Sequence, residues 1–393
     1  MTETAEALRA RIRTVAAGIF AQRGFTDASI EEVCSETGID SRTFAEQYPN
    51  KYDLFREVVF ATSLDMLRAT DGIESNDPRQ TRAVITRIID GCARVAIATR
   101  STGGFYRSEY RYLSRDDAQR LSANLEELRR RVREPLMRHR PRLNEHDANL
   151  LAAAALSTIA SITVHETNLP APKLQTLLTV TAMRILDSEP AAEEFQVGMP
   201  ASSVAWHSDT SERGALVAAA INLCFVRGYR GVSMADVAQE AGISLADAEQ
   251  HFDSLSDLLA DACIGGYEPL EYDMRRAIDT SATPRDTLIG LCQAYVRHYA
   301  SDYKLMTIYL ADARNFDDRN RTAMLDLQED SVRTWTQALL DARPELSDVE
   351  ARFLAFAALN VISDLCRLLR WSTTITDTNK IEKCASIVMA SIR

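Results

Sequence analysis

The sequence lacks any apolar run long enough to cross a bilayer. Runs such as Leu150–Leu156 fall far short of the ~20 residues that a membrane-spanning helix needs. The N-terminal segment carries Glu3 and Glu6 and has no apolar core, so we expect no signal peptide. These absences predict a cytoplasmic protein with no membrane among its partners.

Cysteine pairs and an excess of positive charge are also missing. The seven cysteines are spaced singly without a CxxC motif, which predicts reduced thiols in a cytoplasm. The 45 Lys and Arg residues are outnumbered by 56 Asp and Glu residues, giving a net charge of −11. Such a chain does not coat nucleic acid indiscriminately, so any DNA binding must come from a local patch.

Motifs of common enzymatic chemistry do not occur. There is no GxSxG, P-loop or HExxH, and no GxGxxG follows a strand. The six histidines have no metal-ligand spacing, and Cys92 and Cys292 lie in helical segments without a nearby base. We therefore expect neither an enzyme nor a protein with a cofactor.

The sequence does contain an internal duplication with a period of about 200 residues. Residues 23–25 (RGF) return as 227–229 (RGY), 204 positions later. Further along the offset becomes 203, where Arg140-Pro141-x-Leu143 returns as Arg343-Pro344-x-Leu346. One register held from end to end, within one residue, indicates two related halves.

Apolar residues recur at helical spacing in both halves, as in Leu8, Ile12, Val15 and Ile19. No period-2 run bounded by hairpin turns interrupts this pattern, so the predicted fold class is all-α. Residues 188–208 contain two prolines, a glycine and several serines, and they are the predicted linker between the halves.

Each half begins with the signals of a helix-turn-helix. Residues 29–32 (Ser-x-x-Glu) form a capping box that opens a short helix, and residues 233–236 (Ser-x-x-Asp) are its near match. Gly38 and Gly242 supply the turn, and a third helix is expected to begin two residues after each glycine. Two short helices joined in this way place the second one in the major groove of DNA.

These motifs resemble the N-terminal signature of the TetR family of bacterial regulators. The first half carries 19–25 (IFAQRGF), 29–33 (SIEEV), 37–40 (TGID) and 50–54 (NKYDL), and the second repeats the outline with 227–229, 241–244 (AGIS) and 251–252 (HF). The remainder of each half fits the family's variable ligand-binding domain. The resemblance implies a transcriptional regulator.

The resemblance also implies the domain plan. The expected domains are a first helix-turn-helix (1–55), a first ligand-binding and dimerisation-like domain (56–187), the linker (188–208), a second, degenerate helix-turn-helix (209–259) and a second ligand-binding and dimerisation-like domain (260–393). In the family the last two helices pair with a second subunit as a four-helix bundle. Because the duplicate can supply that partner, we expect an intramolecular pseudo-dimer.

The family places a Thr and a Tyr of the recognition helix, and a Lys just after it, on phosphates. The corresponding positions here are Thr43, Ala45 and Lys51, so the tyrosine is replaced. Arg9, Arg11 and Arg13 near the start of the first helix add backbone contacts, since phosphate neutralisation supplies much of the affinity. The plainer alternative is that Arg13 and Arg42 are solvated surface charges.

Base-reading positions of the family fall on Ser41, Arg42, Glu46 and Gln47. Arg42 could fork onto guanine, Gln47 suits adenine, and Glu46 could accept from cytosine N4. The full expected DNA-binding set is Arg9, Arg13, Ser29, Ser41, Arg42, Thr43, Glu46, Gln47, Tyr48 and Lys51.

The second half departs from the family at all three phosphate positions. These hold Asp247, Glu249 and Leu255, and a carboxylate beside a phosphate is repelled. We expect that this second helix-turn-helix does not dock on B-DNA in the family's usual way. The alternative that Asp247 and Glu249 read cytosine-rich edges stays open.

Each helical domain is expected to hold a mostly apolar pocket with a few polar anchors. The candidate ligand-binding residues are the polar positions that recur between the halves: Tyr106, Glu109, Arg111, Tyr309, Asp312 and Arg314. Salt bridges within and between helices are the alternative role. The resemblance implies a small, apolar effector.

Two functions follow. The favoured one is a ligand-responsive repressor that binds a double-stranded DNA operator mainly through its first helix-turn-helix. A palindromic operator would then require self-association of two chains. The alternative is a protein-interaction module that has lost DNA binding. Salt dependence separates them, because phosphate binding weakens steeply as salt rises.

Overall fold

The structure is a computed structural model that describes residues 4–75, 77–100, 110–165, 169–189, 209–370 and 374–390. Over these ranges the chain is built from α-helices and short 3-10 turns without a strand, which confirms the predicted all-α fold. None of the helices in the described ranges combines the length and the apolarity of a membrane span.

The first half contributes α1 to α8. The first three form the helix-turn-helix head, and α4 links that head to the helical domain behind it. The bounds are α1 Ala5–Asp27, α2 Ile30–Thr37, α3 Ser41–Gln47, α4 Lys51–Ala69, α5 Thr81–Ala98, α6 Arg115–His139, α7 Glu145–Ala160 and α8 Ala171–Asp187.

The second half contributes α9 to α17 in the same order. The bounds are α9 Glu212–Arg227, α10 Met234–Ala241, α11 Leu245–His251, α12 Leu255–Thr280, α13 Pro284–Ser301, α14 Tyr303–Asp312, α15 Asp318–Ala342, α16 Asp348–Leu368 and α17 Ile375–Met389. The chain divides into two compact units, and the division falls inside α8 after Thr179. Apart from positions 188 and 189, the predicted linker lies outside the described residues.

The first head is held together by an aromatic core. Phe20, Phe25 and Phe55 cluster where α1 meets α4, with the Phe25 and Phe55 ring centroids 4.2 Å apart. Gly24 adopts φ 73°, a conformation that L side chains rarely adopt, and it breaks the regular part of α1. The backbone then continues as helical turns through Asp27.

The second head has the same three-helix order with a mostly aliphatic core. Leu216 and Cys224 of α9, Val237 of α10 and Leu258 of α12 are buried together there. All seven cysteines of the chain are buried and free. Each head therefore buries an apolar core of its own, which supplies the main driving force for its folding.

Candidate nucleic-acid interface

The first helix-turn-helix is fixed by local caps. Ser29 Oγ accepts the Glu32 backbone N–H at 3.1 Å, and the Glu32 carboxylate accepts the Ser29 N–H at 3.0 Å, so the predicted capping box forms. Gly38 ends α2 in the left-handed region at φ 72°. Asp40 caps α3 by accepting the Thr43 N–H at 2.7 Å, and this hydrogen bond lowers the pKa of Asp40. The contacts shown for Ser29 are those of a helix cap.

The outer face of α3 presents Ser41, Arg42, Ala45 and Glu46 to solvent, while Phe44 points into the core. The Arg42 side chain is 89% exposed, and its Nε lies 3.7 Å from Glu46 Oε1, whose side chain is 62% exposed. An exposed pair of this kind contributes about 0.5 kcal/mol or less, so Arg42 can leave Glu46 for another partner at little cost. Thr43 and Gln47 are half-buried beside this face.

Tyr48 lies in the interior of the first head. Its side chain is 0% exposed and packs in the core of the head, with its ring centroid 5.9 Å from that of Phe44. Burial raises the pKa of its hydroxyl, which donates to the Arg9 carbonyl at 3.5 Å. Because this residue caps the end of α3 and is buried, the structure does not present its side chain at the surface where contact with DNA was expected.

Arg9 and Arg13 converge on one carboxylate, that of Glu57 on α4. Arg9 donates to Glu57 Oε2 from Nε at 3.0 Å and from Nη2 at 2.5 Å, and Arg13 Nη1 lies 3.1 Å from Glu57 Oε1. Burial alone would raise the pKa of Glu57, but the hydrogen bond and charge of Arg9 outweigh it and lower that pKa. Arg11 donates to the Thr37 carbonyl. The arginines of α1 thus tie the head together in the structure.

Lys51 is also engaged within the head. Its Nζ donates to the carbonyls of Thr26 and Ala28 at 3.1 and 2.9 Å and lies 4.7 Å from the Phe25 ring centroid. Burial lowers the pKa of Lys51. Two of the three ammonium donors are therefore used between α1 and α2, which leaves one for a phosphate.

The second head keeps the backbone geometry and changes the surface. Ser233 and Asp236 form a capping box for α10, and Gly242 ends that helix at φ 71°. On α11 the carboxylates of Asp247 and Glu249 are exposed, and Leu255 is buried where the first head has Lys51. Ser244 Oγ donates to Asp247 at 2.6 Å. This surface has carboxylates at the positions of Thr43 and Ala45 and has Ala246 at the position of Arg42.

Glu57 was not expected from the sequence, although it pairs with two predicted residues. Its signal lies in the duplication: Arg9, Tyr48 and Glu57 stand at the same 204-residue offset from Arg213, Phe252 and Asp261. A search for recurring combinations of a cation, an aromatic ring and a carboxylate could have found it.

Of the candidate ligand-binding residues, Tyr106 and Glu109 lie outside the described residues. Arg111 is half-buried, with its guanidinium 6.0 Å from the Tyr112 ring centroid. In the second unit the Tyr309 hydroxyl donates to the Met324 carbonyl at 3.5 Å. Asp312 is buried and Arg314 is exposed, so these two side chains do not share one environment.

The helical domain of the second unit has a polar and aromatic interior. The Tyr295 hydroxyl shares a hydrogen bond with Ser331, and its ring centroid lies 5.3 Å from that of the fully buried Trp335. Glu382 of α17 is buried, and this burial raises its pKa to about 7 against the lowering effects of Gln293 and Arg297. Among the described residues no group of His, Cys, Asp and Glu is arranged to hold a metal ion.

Comparison with known proteins places these features in context. Residues 12–58 match the profile of bacterial regulatory proteins, tetR family. Over 152 residues, 37% of this chain and 76% of the relative, the sequence is 26% identical to the HTH-type transcriptional repressor KstR2 of Mycobacterium tuberculosis strain H37Rv.

Two solved structures were also found to be similar over about half of the chain. The ketosteroid transcriptional regulator KstR2 of Mycobacterium tuberculosis aligns with a TM-score of 0.39 at 22% identity, covering 47% of this chain and 95% of the other. The fatty acid degradation regulator FadR from Bacillus halodurans aligns with a TM-score of 0.41 at 14% identity, covering 47% of this chain and 98% of the other.

Proposed function

We propose that the chain is a transcriptional repressor of the TetR family, not an enzyme, and that it binds operator DNA through its first helix-turn-helix; the match of residues 12–58 and the similarity to a repressor support this. In this proposal α3 enters the major groove and the second helix-turn-helix does not dock on DNA. The contacting residues would be Ser41, Arg42, Thr43, Glu46 and Gln47, with Lys51 as a phosphate contact through its remaining donor.

The observation that carries this proposal is the contrast between the exposed faces of α3 and α11. Among the described residues Arg42 forms an exposed pair with Glu46, which it can leave to donate to a guanine edge. The corresponding helix in the second head has Ala246 in place of that arginine and exposes Asp247 and Glu249. Bringing those carboxylates to the backbone of B-DNA would cost free energy, and no counterion release would offset it.

We further propose that the helical domains give this repressor its response to a small, apolar effector. Binding would favour one of two helix arrangements and so change the position of the heads. The duplicated helical domain would supply within one chain the partner that a conventional dimer takes from a second subunit. Because only one head reads DNA in this proposal, a palindromic operator would need two chains.

A gel-shift titration against the DNA upstream of the gene, at two salt concentrations, tests the proposal. Removing Arg42 by Arg42→Ala should weaken specific binding by about 5-fold to 100-fold, the effect of losing a bidentate base contact. Arg275→Ala is a matched control, because Arg275 is 73% exposed and pairs with Glu271 four residues before it on α12. Asp247→Ala/Glu249→Ala should leave the affinity unchanged.

The outcome also separates the two candidate functions. Specific, salt-sensitive binding that falls in Arg42→Ala alone supports the asymmetric repressor. Equal losses in Arg42→Ala and Arg275→Ala would show that the first head does not read bases through α3. The absence of salt-sensitive binding in every form would favour a protein-interaction module, since phosphate neutralisation is what makes DNA binding depend on salt.

A further inference from the structure

We propose that Arg9 is a positioning residue that fixes the recognition helix from behind, and that it does not act as a phosphate contact. The structure assigns this role to a clamp of three side chains, Arg9, Tyr48 and Glu57. The inference rests on the proposed function only in that α3 is the helix that reads DNA. Arg9 thus has a role other than the phosphate contact that the sequence predicts.

The clamp joins three helices through one guanidinium. Arg9 of α1 donates to Glu57 of α4 through Nε and Nη2, and its Nη1 donates to the carbonyl of Gln47, the last residue of α3, at 2.5 Å. The Arg9 guanidinium carbon lies 4.2 Å from the centroid of the Tyr48 ring. The planar fork therefore meets a carboxylate, a main-chain carbonyl and an aromatic face together, which an ammonium group cannot do.

The contact with Gln47 bears directly on the position of α3. The last carbonyls of a helix have no partner within the helix, and a cation beside them is favourable. In a helix of seven residues these carbonyls are a large part of the backbone. Arg9 thus satisfies one end of α3, while Asp40 caps the other end through the Thr43 N–H.

The duplicated head supplies an internal comparison. Arg213 Nη2 donates to Asp261 Oδ2 at 2.5 Å, and the Arg213 guanidinium carbon lies 4.9 Å from the Phe252 ring centroid. The cation, the ring and the carboxylate therefore recur in a head whose three phosphate positions have become Asp247, Glu249 and Leu255. Because the clamp is present in a head that lacks the phosphate-contacting residues, its role is to stabilise the helix-turn-helix.

Arg9→Lys separates positioning from phosphate contact. A lysine retains the charge and binds phosphate well, but it cannot bridge Glu57, Gln47 and Tyr48. If Arg9 positions α3, Arg9→Lys and Arg9→Met should weaken specific DNA binding to a similar extent, by about 10-fold or more, the effect of a misplaced base contact. If Arg9 contacts phosphate, Arg9→Lys should retain the affinity and its dependence on salt, and the proposal would be overturned.

The direction in which Glu57→Gln changes DNA affinity provides a second test. Removing this carboxylate should weaken specific binding if the clamp holds α3, whereas it should strengthen binding if Glu57 only restrains Arg9 and Arg13 from phosphates. Glu31→Gln is the charge-matched control, because it removes one negative charge from the exposed part of α2 in the same head. Arg213→Lys and Arg213→Met make the same changes in the second head and should leave DNA affinity unaltered.

Amide hydrogen exchange of the protein without DNA tests the clamp independently of DNA binding. In Arg9→Lys the amides of residues 44–48 should exchange faster, while those of α2 and of the whole second head stay as in the wild type. Unchanged exchange in α3 would overturn the clamp even if DNA affinity fell. If the wild-type protein does not bind DNA, the proposed function is refuted. The hydrogen-exchange result then tests the clamp by itself.

Discussion

Replacing Glu382 by glutamine is expected to stabilise the second unit at alkaline pH. Glu382 lies on α17 and is 7% exposed, and its Oε2 has no hydrogen-bond partner among the described residues. Burial raises its pKa from 4.5 to about 7, although a hydrogen bond with Gln293 and the charge of Arg297 act to lower it. Ionising this carboxyl therefore opposes folding.

The expected size follows from the change in pKa on folding. Between pH 4.5 and 7 the folded protein holds a proton on Glu382 that the unfolded chain has lost, so stability falls as pH rises. Each unit of pKa difference corresponds to 1.36 kcal/mol, and the shift therefore removes ~3 kcal/mol of unfolding free energy by pH 8. Below pH 4.5 the carboxyl is protonated in both states, and this loss is absent.

Urea unfolding of the wild type and of Glu382→Gln at several pH values from 5 to 9 measures this quantity. The free energy of unfolding of the variant, relative to the wild type, should increase by ~3 kcal/mol over that range. Tryptophan fluorescence is a suitable signal, because Trp335 is fully buried in the same unit. Glu268→Gln, at an exposed position of α12, should show no such trend. A parallel pH dependence of Glu382→Gln and wild type would refute the reasoning.

Three further expectations concern stability and reactivity. Ser29→Ala and Ser233→Ala each remove a capping box and should lower the unfolding free energy by about 1 kcal/mol. Aspartate at either position should preserve the stability of the wild type. Alanine variants as stable as the wild type would contradict the role of these caps. Trp335→Ala should cost about 3–5 kcal/mol in urea unfolding because the indole is fully buried, and a loss below about 1 kcal/mol would indicate that the site collapses around the cavity. The thiols should react with a disulfide reagent only in denaturant, since all are buried and burial raises the pKa of Cys92 and Cys263 to about 12; rapid reaction of the native protein would show that the core opens.

Local features of the fold could be predicted from the sequence, because the groups that create them are close along the chain. The Ser29 capping box and the left-handed Gly38 each depend on residues within one or two turns, and the structure has them where the sequence places them. The same holds for the change of surface between the two recognition helices, since Asp247 and Glu249 lie at exposed helix positions.

The partners of the charged residues could not be predicted in this way. Arg9 and Glu57 are 48 positions apart, and only the packing of α1 against α4 brings them together. Composition and motifs suggest that Arg9 is a cation available to DNA. In the tertiary structure Arg9 contacts the Glu57 carboxylate, the Gln47 carbonyl and the Tyr48 ring. The burial of Tyr48 could not be predicted for the same reason. A residue that ends a seven-residue helix faces solvent or core according to the elements that pack against that helix.

The separation of clamp and surface within each head has a consequence for protein engineering. The residues that hold α11 in place, including Arg213, Phe252 and Asp261, are distinct from those that the helix exposes. The second head is therefore a scaffold ready to accept a grafted recognition surface. Transferring the exposed residues of α3 onto α11 should give one polypeptide with two DNA-binding heads whose sequence preferences can be changed independently. The two heads would be linked covalently, so their pairing would not depend on protein concentration.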